Sequence, residues 1–344
     1  MTARRIKGAW WVDFRFHGER FRKKSPLDSK RGAEEYERQL RTELLLPPHE
    51  QLEQKEVPNF KEYINEFITT YAETNNKASE LASKRTTARR HLVPFFGSLS
   101  IREIGIRHIE KYKAKKLKEG LSPKSINNQL TVLRKALSVA VDWELIAHVP
   151  RVKWLKVPPP DFRFLTSEES EKLIAATPGG FKAMVMTAVK SGLRRGELLA
   201  LQWADLDLKS GLLRVKHSCY RGKLTTPKNG KTRDVPLSPQ LAETLKKHRH
   251  LRGSFVFCND DGSMLTRDQV KRVVPAACKD AGLPELQWHA LRHTFASQLV
   301  MAGVPMRTVQ VLMGHSTLEM TCRYAHLAPN VLVEAVSKLD VVQK

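Results

Sequence analysis

Residues 157–160 read Val-Pro-Pro-Pro, and three prolines in a row cannot continue a helix, because each lacks an amide hydrogen and fixes φ. An earlier stretch, LLPPHEQLEQKEVP over 45–58, is polar, acidic and bounded by prolines. These two breaks forbid a single continuous body, and a length of 344 residues suits two or three domains. The expected division is a small N-terminal module with its linker over 1–57, a helical domain over 58–156, a linker over 157–164, and a third domain with a tail over 165–344.

Each segment has its own hydrophobic period. Trp10, Val12, Phe14 and Phe16 alternate with Trp11, Asp13 and Arg15, which predicts a strand, and His17-Gly18 offers a turn into a second strand over 20–24. A helix over 29–46 would place Ala33, Tyr36, Leu40 and Leu44 on one face. So short a segment buries little core. It reads as a small sheet with one helix that presents RFRKKS to nucleic acid, or as an appendage docked on its neighbour. After the first linker, Phe60, Tyr63, Ile64, Phe67, Ile68 and Tyr71 form a helical stripe. Ser122-Pro123 opens another helix, with Ile126, Leu130, Leu133, Leu137 and Val141 on one face. Beyond 164 the pattern mixes. LTSEESEKLIAA begins a capped helix, FKAMVMTAVKSGLRRGELLAL is helical around a Ser-Gly break, and GLLRVKHSCY and the flanks of Asn229-Gly230 read as strands about a tight hairpin. From Arg267 onward the chain is mostly helical. The fold class expected is α+β and multidomain: a small N-terminal β-sheet plus helix, an all-helical domain, and a mainly helical domain with a small antiparallel sheet.

Charge narrows the partner. The net charge is +23, distributed as +7 over 1–31, +10 over 59–157 and +10 over 158–344, against −4 over 32–58. Positive charge in three separate regions suits a protein that follows a phosphate backbone, and KRTTARRH (84–91) and KYKAKKLK (111–118) put dense cations on the polar sides of helices. No run of 18 apolar residues suggests a membrane span, and MTARRIKGAWWVDF lacks a signal peptide's apolar region, so a cytoplasmic protein is expected. Cys219, Cys258, Cys278 and Cys322 show no CxxC or CxxH spacing, which argues against structural zinc. No Walker A loop, paired-carboxylate site or HExxH is present, so neither cofactor nor metal is expected.

Several polar residues lie where a packed or tight segment is expected. Arg194 stands in SGLRRGELLAL with Glu197 three residues on, spaced to orient it, as a surface i,i+3 pair also would be. His289 and Arg292 lie one turn apart in QWHALRHTFAS, with Phe295, Ala296 and Leu299 as packing. Lys228 precedes Asn229-Gly230 and can reach into a groove, or be one more solvated lysine. In LMGHSTLEMTCRYAH, Ser316 and Glu319 have capping-box spacing, which sets His315 before a helix N-terminus and Tyr324 about two turns into that helix. His326 has no assigned role.

Taken in order, Arg194, Lys228, His289, Arg292, Gly314-His315 and Tyr324 resemble the signature of the tyrosine recombinases, the phage integrase family. SGLRRGELLAL, HALRHTFAS and LMGHSTLEMTCRYAH resemble the phrases that family carries around its catalytic residues. The 23 residues from Arg292 to His315 and nine from His315 to Tyr324 also match. Ala290 departs from the pattern, since many relatives have an acidic residue there. The resemblance extends over the whole chain: an arm-type DNA-binding module, a SAM-like core-binding domain and the catalytic domain.

The resemblance implies a site-specific recombinase that integrates or excises a phage or mobile element. Tyr324 would attack the scissile phosphate and expel the 5′-hydroxyl. His289 would accept its proton, Arg194, Arg292 and His315 would hold the phosphate, Lys228 would protonate the leaving oxygen, and Glu197 would support Arg194. The 3′-phosphotyrosyl bond retains the phosphodiester's energy, so rejoining requires no ATP. It also implies a tetramer on double-stranded attachment-site DNA, with an accessory DNA-bending host factor and an excisionase as further partners. A type IB topoisomerase shares the nucleophile chemistry, but the helical domain and LMGHS argue against it. A DNA-binding regulator that lost catalysis would have a broken constellation. The tail over 327–344 has Leu327, Val331, Leu332, Val336 and Leu339 at helical spacing, and packs either on a neighbouring protomer or on its own domain.

Overall fold

The computed structural model describes residues 3–6, 8–16, 19–45, 57–158, 162–227, 230–328 and 336. The chain separates into two compact units, Met1–Pro159 and Pro160–Lys344. The architecture is α+β, with small antiparallel sheets and many helices. Among the described residues no helix is long and apolar enough to cross a membrane, and no group of three or more His, Cys, Asp or Glu is arranged to hold a metal ion.

Unit 1 begins with a three-stranded antiparallel sheet in the order β1 (Ala3–Ile6), β2 (Ala9–Phe16), β3 (Glu19–Lys24), followed by α1 (Lys30–Leu45). The alternation in β2 buries Val12 and Phe14, which pack with Leu40 of α1, while Phe14 stacks on its cross-strand partner Phe21. Strand β1 escapes the sequence reading because ARRI is too short and too charged to show a period. The expected His17-Gly18 turn lies outside the described residues.

Among the described residues, the remaining long elements of unit 1 are helices. Helix α2 (Phe60–Glu66) runs through a π-helical turn (Phe67–Ala72), and α3 (Ala78–Thr87) through another (Ala88–Leu92). The wider turn admits one extra residue, so the buried face moves on to Ala72 while Tyr71, next on the α-helical stripe, is only partly buried. Helices α4 (Ile106–Lys118) and α5 (Pro123–Asp142) supply Ile109, Tyr112, Ile126, Leu130, Leu133 and Leu137 to that core. The basic runs are less uniform than their sequence suggests. Lys84, Lys113 and Lys116 are buried, each ion-paired with a glutamate three or four residues away, whereas Arg89, Arg90, Lys111, Lys115 and Lys118 are exposed. Their long aliphatic stems cover apolar surface, which removes these three from an open cationic face.

Unit 2 packs α6 (Ser167–Ala176), capped by a Thr166–Glu169 capping box, with α7 (Gly179–Ser191) and the short α8 (Arg195–Leu199). A sheet of β4 (Leu206–Asp207), β5 (Leu212–Val215) and β8 (Arg233–Pro236) lies in that order, and β6 (Ser218–Tyr220) pairs separately with β7 (Lys223–Thr225). The tight hairpin therefore closes at Arg221-Gly222, both with positive φ, rather than at Asn229-Gly230. The strands flanking Asn229-Gly230 are paired elsewhere, β7 with β6 and β8 with β5, which corrects the expected hairpin; Asn229 itself lies outside the described residues. Helices α9 (Pro239–His248), α10 (Arg267–Val270), α11 (Val273–Asp280), α12 (Trp288–Met301), α13 (Met306–Met313) and α14 (Glu319–Cys322) complete the unit. Phe295, Ala296 and Val300 of α12 pack with Val309, Met313 and Tyr324.

A buried cationic centre beside a covered tyrosine

The centre is built from helix ends. Helix α7 stops at Gly192, whose φ of +64° is left-handed; an added Cβ would sit 2.3 Å from Phe295 Cδ1, so only glycine fits. The chain then turns through Arg194 into α8. Arg194 Nη1 donates to Glu197 Oε1 at 2.9 Å, and the Arg194 backbone N–H donates to Oε2 at 2.9 Å. Glu197 is thus the orienting partner its spacing suggests.

The sequence does not reveal that Arg233 of β8 grips the same carboxylate, donating Nη1 to Oε1 (3.1 Å) and Nη2 to Oε2 (2.7 Å). Its Nε donates to Leu312 O at 3.0 Å, which ties the sheet to the end of α13. Gly314 is left-handed too, and a Cβ there would come within 2.8 Å of Arg233 Cδ. Burial pushes the Glu197 carboxyl up, but the hydrogen bonds and charge of Arg233, followed by the charge of Arg194, overcome this and hold it at about 2.

Arg292 is 2% exposed and is the largest fully buried side chain among the described residues. Its Nη1 donates to Gly192 O at 2.7 Å and its Nη2 to Met313 O. Both acceptors lie at helix C-terminal ends, where backbone carbonyls carry partial negative charge. Burial, then the charge of Arg194, lowers its pKa to about 9, so it stays cationic at neutral pH.

His315 does not precede a helix N-terminus. It follows the C-terminal end of α13: its N–H donates to Gln310 O (3.1 Å), and α14 begins only at Glu319, without a side-chain cap. The Ser316–Glu319 capping box does not form, because Ser316 Oγ points to Met320 Sδ. His315 Nδ1 instead meets Thr321 Oγ1 at 2.9 Å. Burial, then Arg292 and Arg194, lowers its pKa to about 3, so the imidazole is neutral and sits among these guanidinium groups. Arg194, Arg233 and His315 also line a cleft of about 400 Å³ with Lys231 and Arg307. Pro227 lines it as well, while Lys228 lies outside the described residues.

Tyr324 lies past the end of α14, not two turns into a helix, and is 1% exposed. Its hydroxyl meets Nδ1 of His293 at 2.7 Å. Phe162 stacks on the His293 ring at 4.9 Å and meets the Tyr324 ring edge-on at 5.0 Å. His289 is exposed one turn earlier on α12, its ring 4.7 Å from that of His293. Burial pushes the Tyr324 phenol up, against the pull of Arg292 and Arg323. His293 had a readable signal, four residues after His289 on the same face. His326, without a role in the sequence, packs edge-on to Phe162 at 6.1 Å. Of the tail over 327–344, residues 329–335 and 337–344 lie outside the described residues.

Residues 163–330 match the model of the phage integrase family. The chain is 28% identical to the ICEBs1 integrase of Bacillus subtilis (strain 168), over 99% of both chains. It is 31% identical to tyrosine recombinase XerC of Thermodesulfovibrio yellowstonii, over 69% of this chain and 82% of that one. Among solved structures it resembles the Tn1549 transposon integrase in complex with a circular intermediate DNA, with a TM-score of 0.72 at 20% identity over 83% of this chain and 99% of that one. The chain belongs to the phage integrase family: it is a tyrosine recombinase, an enzyme of site-specific DNA recombination.

Proposed function

We propose that the cationic centre of unit 2 holds the scissile phosphate of a DNA strand while Tyr324 attacks it. The product is a 3′-phosphotyrosyl bond, which a 5′-hydroxyl from a partner strand later reopens. Supporting this reading is one observation: Arg194 and Arg233 share the single carboxylate of Glu197, and Arg292 donates to two backbone carbonyls, so the centre carries excess positive charge beside a tyrosine. An anion is what such a centre lacks.

Arg194 and Arg292 supply forked donors to the non-bridging oxygens, whose charge grows in the transition state. His315 adds a donor, and His289 brings a second imidazole, this one exposed, to the site. Lys228 protonates the leaving 5′-oxygen; its neighbour Pro227 lines the cleft that Arg194 and His315 share. An ordinary ammonium pKa of about 10.4 is too high for this work and would need lowering by cationic neighbours.

Exchange between two duplexes cuts four strands, and each chain carries one Tyr324, so four protomers act together on attachment-site DNA. Residues 1–57 act as an arm-type module through exposed β3 cations, and 58–156 as a core-binding domain. Residues 165–344 are the catalytic domain. The element moved is a phage or other mobile element in the bacterial cytoplasm, with a DNA-bending host factor and an excisionase setting direction.

The test uses a nicked duplex carrying the junction sequence of the element that encodes the chain. The wild-type chain is expected to form an SDS-resistant protein–DNA adduct, mapped to Tyr324 by mass spectrometry, and Tyr324→Phe none. Absence of the adduct from wild type, or its persistence in Tyr324→Phe, overturns the nucleophile assignment.

A further inference from the structure

The resemblance assigns uptake of the phenolic proton to His289, but the geometry points to His293: we propose that Nδ1 of His293 accepts the Tyr324 proton as the oxygen attacks phosphorus. This rests on Tyr324 being the nucleophile. Two features single out His293. Its Nδ1 is 2.7 Å from the Tyr324 hydroxyl, within the range in which a general base takes a proton directly. Its ring is also fixed on both sides, stacked by Phe162 at 4.9 Å with an interplanar angle of 22° and met edge-on by His289 at 4.7 Å. His289 is exposed, whereas the Tyr324 phenol is covered.

The step balances. The Tyr324 O–H bond breaks and its proton passes to Nδ1, giving an imidazolium; the oxygen forms the bond to phosphorus as the bond from phosphorus to O5′ breaks. O5′ takes a proton from the acid, the role proposed for Lys228. Rejoining runs the same transfers backward. For Nδ1 to accept, the neutral imidazole carries its hydrogen on Nε2.

The charges around His293 couple this base to substrate. Its pKa is lowered to about 4, by burial first and then by His289, Arg323 and Arg292, so the ring is neutral and able to accept at neutral pH. His289 and Arg292 lie on its own helix, Arg323 and Tyr324 on the segment after α14, and Phe162 and His326 bring aromatic rings. A phosphate held by Arg292 adds negative charge that offsets the cations and raises the basicity of His293. The acceptor strengthens when DNA arrives.

The decisive variant is His293→Asn, whose Oδ1 replaces Nδ1 as a hydrogen-bond acceptor but does not take up a proton. Adduct formation is measured in single turnover from pH 6 to 9 on the nicked duplex. The expected loss at pH 7 is roughly a hundredfold or more. The variant's rate should rise about tenfold per pH unit as hydroxide replaces the missing base, while wild type stays flat over the same range. The loss should persist on a duplex with a 5′-bridging sulfur, whose thiolate leaves without an acid. A variant within threefold of wild type, a parallel pH profile, or rescue by the sulfur substrate would overturn the assignment. If His293→Asn does not fold, His293→Gln is read by the same criteria. An inactive wild type would instead dispose of the nucleophile reading itself.

Discussion

The two units bury cations in opposite ways. In unit 1, Lys84, Lys113 and Lys116 are sunk in the helical domain, each with a glutamate partner that is itself 39–58% exposed. Such pairs are half-solvated and nearly neutral as a group, with Lys84 also donating to Asn76 Oδ1 and Lys113 to Lys153 O. In unit 2, Arg292 is sunk with backbone carbonyls for partners, and two further arginines converge on one carboxylate. The first arrangement finishes a fold; the second leaves positive charge that an arriving phosphate can neutralise. Counting lysines and arginines along the chain cannot tell these apart, since both contribute equally to a net charge of +23.

The contrast is sharpest in the reaction. Arg292→Lys removes the fork that reaches two helix ends, and is expected to slow adduct formation by roughly a thousandfold. The same assay on Lys113→Met should read within about twofold of wild type, since an exposed partner makes that pair weak. Equal losses would erase the distinction.

Stability should separate the units next. Glu197→Gln leaves Arg233 buried without its counter-charge, and should cost about 3–5 kcal/mol in urea denaturation. The pH dependence has a defined sign. Glu197 is held at about 2, below its ordinary 4.5, so its contribution is fully present above pH 4.5 and is lost as pH falls toward 2. Glu197→Gln should show a shallower acid slope than wild type, the remainder coming from Asp13, Glu119, Asp207 and Asp261, whose carboxyls are also held below their ordinary values. A similar slope in both would place the acid-sensitive group elsewhere.

Gly192→Ala forces a left-handed backbone and a collision with Phe295 at once, and is expected to cost about 2–3 kcal/mol of unfolding free energy. The smallest effect belongs to unit 1 again: Lys113→Met should change unfolding free energy by less than about 1 kcal/mol.

What the sequence made legible follows from the range of each interaction. The Arg194–Glu197 pair is three residues long, and the spacing alone predicts it. Arg233 reaches Glu197 from 36 residues away, and nothing in TRDVPL marks it. The period of β2 and the stripes of α2 and α5 foretold the cores, because hydrophobic spacing directly records which face is buried. Turn chemistry was a weaker guide. Asn229-Gly230 has the better hairpin composition, but the strands beside it are claimed by other partners, and Arg221-Gly222 takes the tight turn instead. Ser316 and Glu319 have the right interval for a cap, yet the chain after the left-handed Gly314 enters a turn and Ser316 faces Met320. His293 was in plain view, but adjacency to Arg292 disguised it; only the fold shows which ring meets the Tyr324 hydroxyl.

Arg292's two acceptors, Gly192 O and Met313 O, are peptide carbonyls. No substitution of a side chain can delete either one, so the guanidinium's setting is inherited with the backbone. Drift can recolour the residues around this centre, altering which DNA sequence is met or how tightly, while the cradle for its deepest arginine is copied unchanged from one descendant to the next.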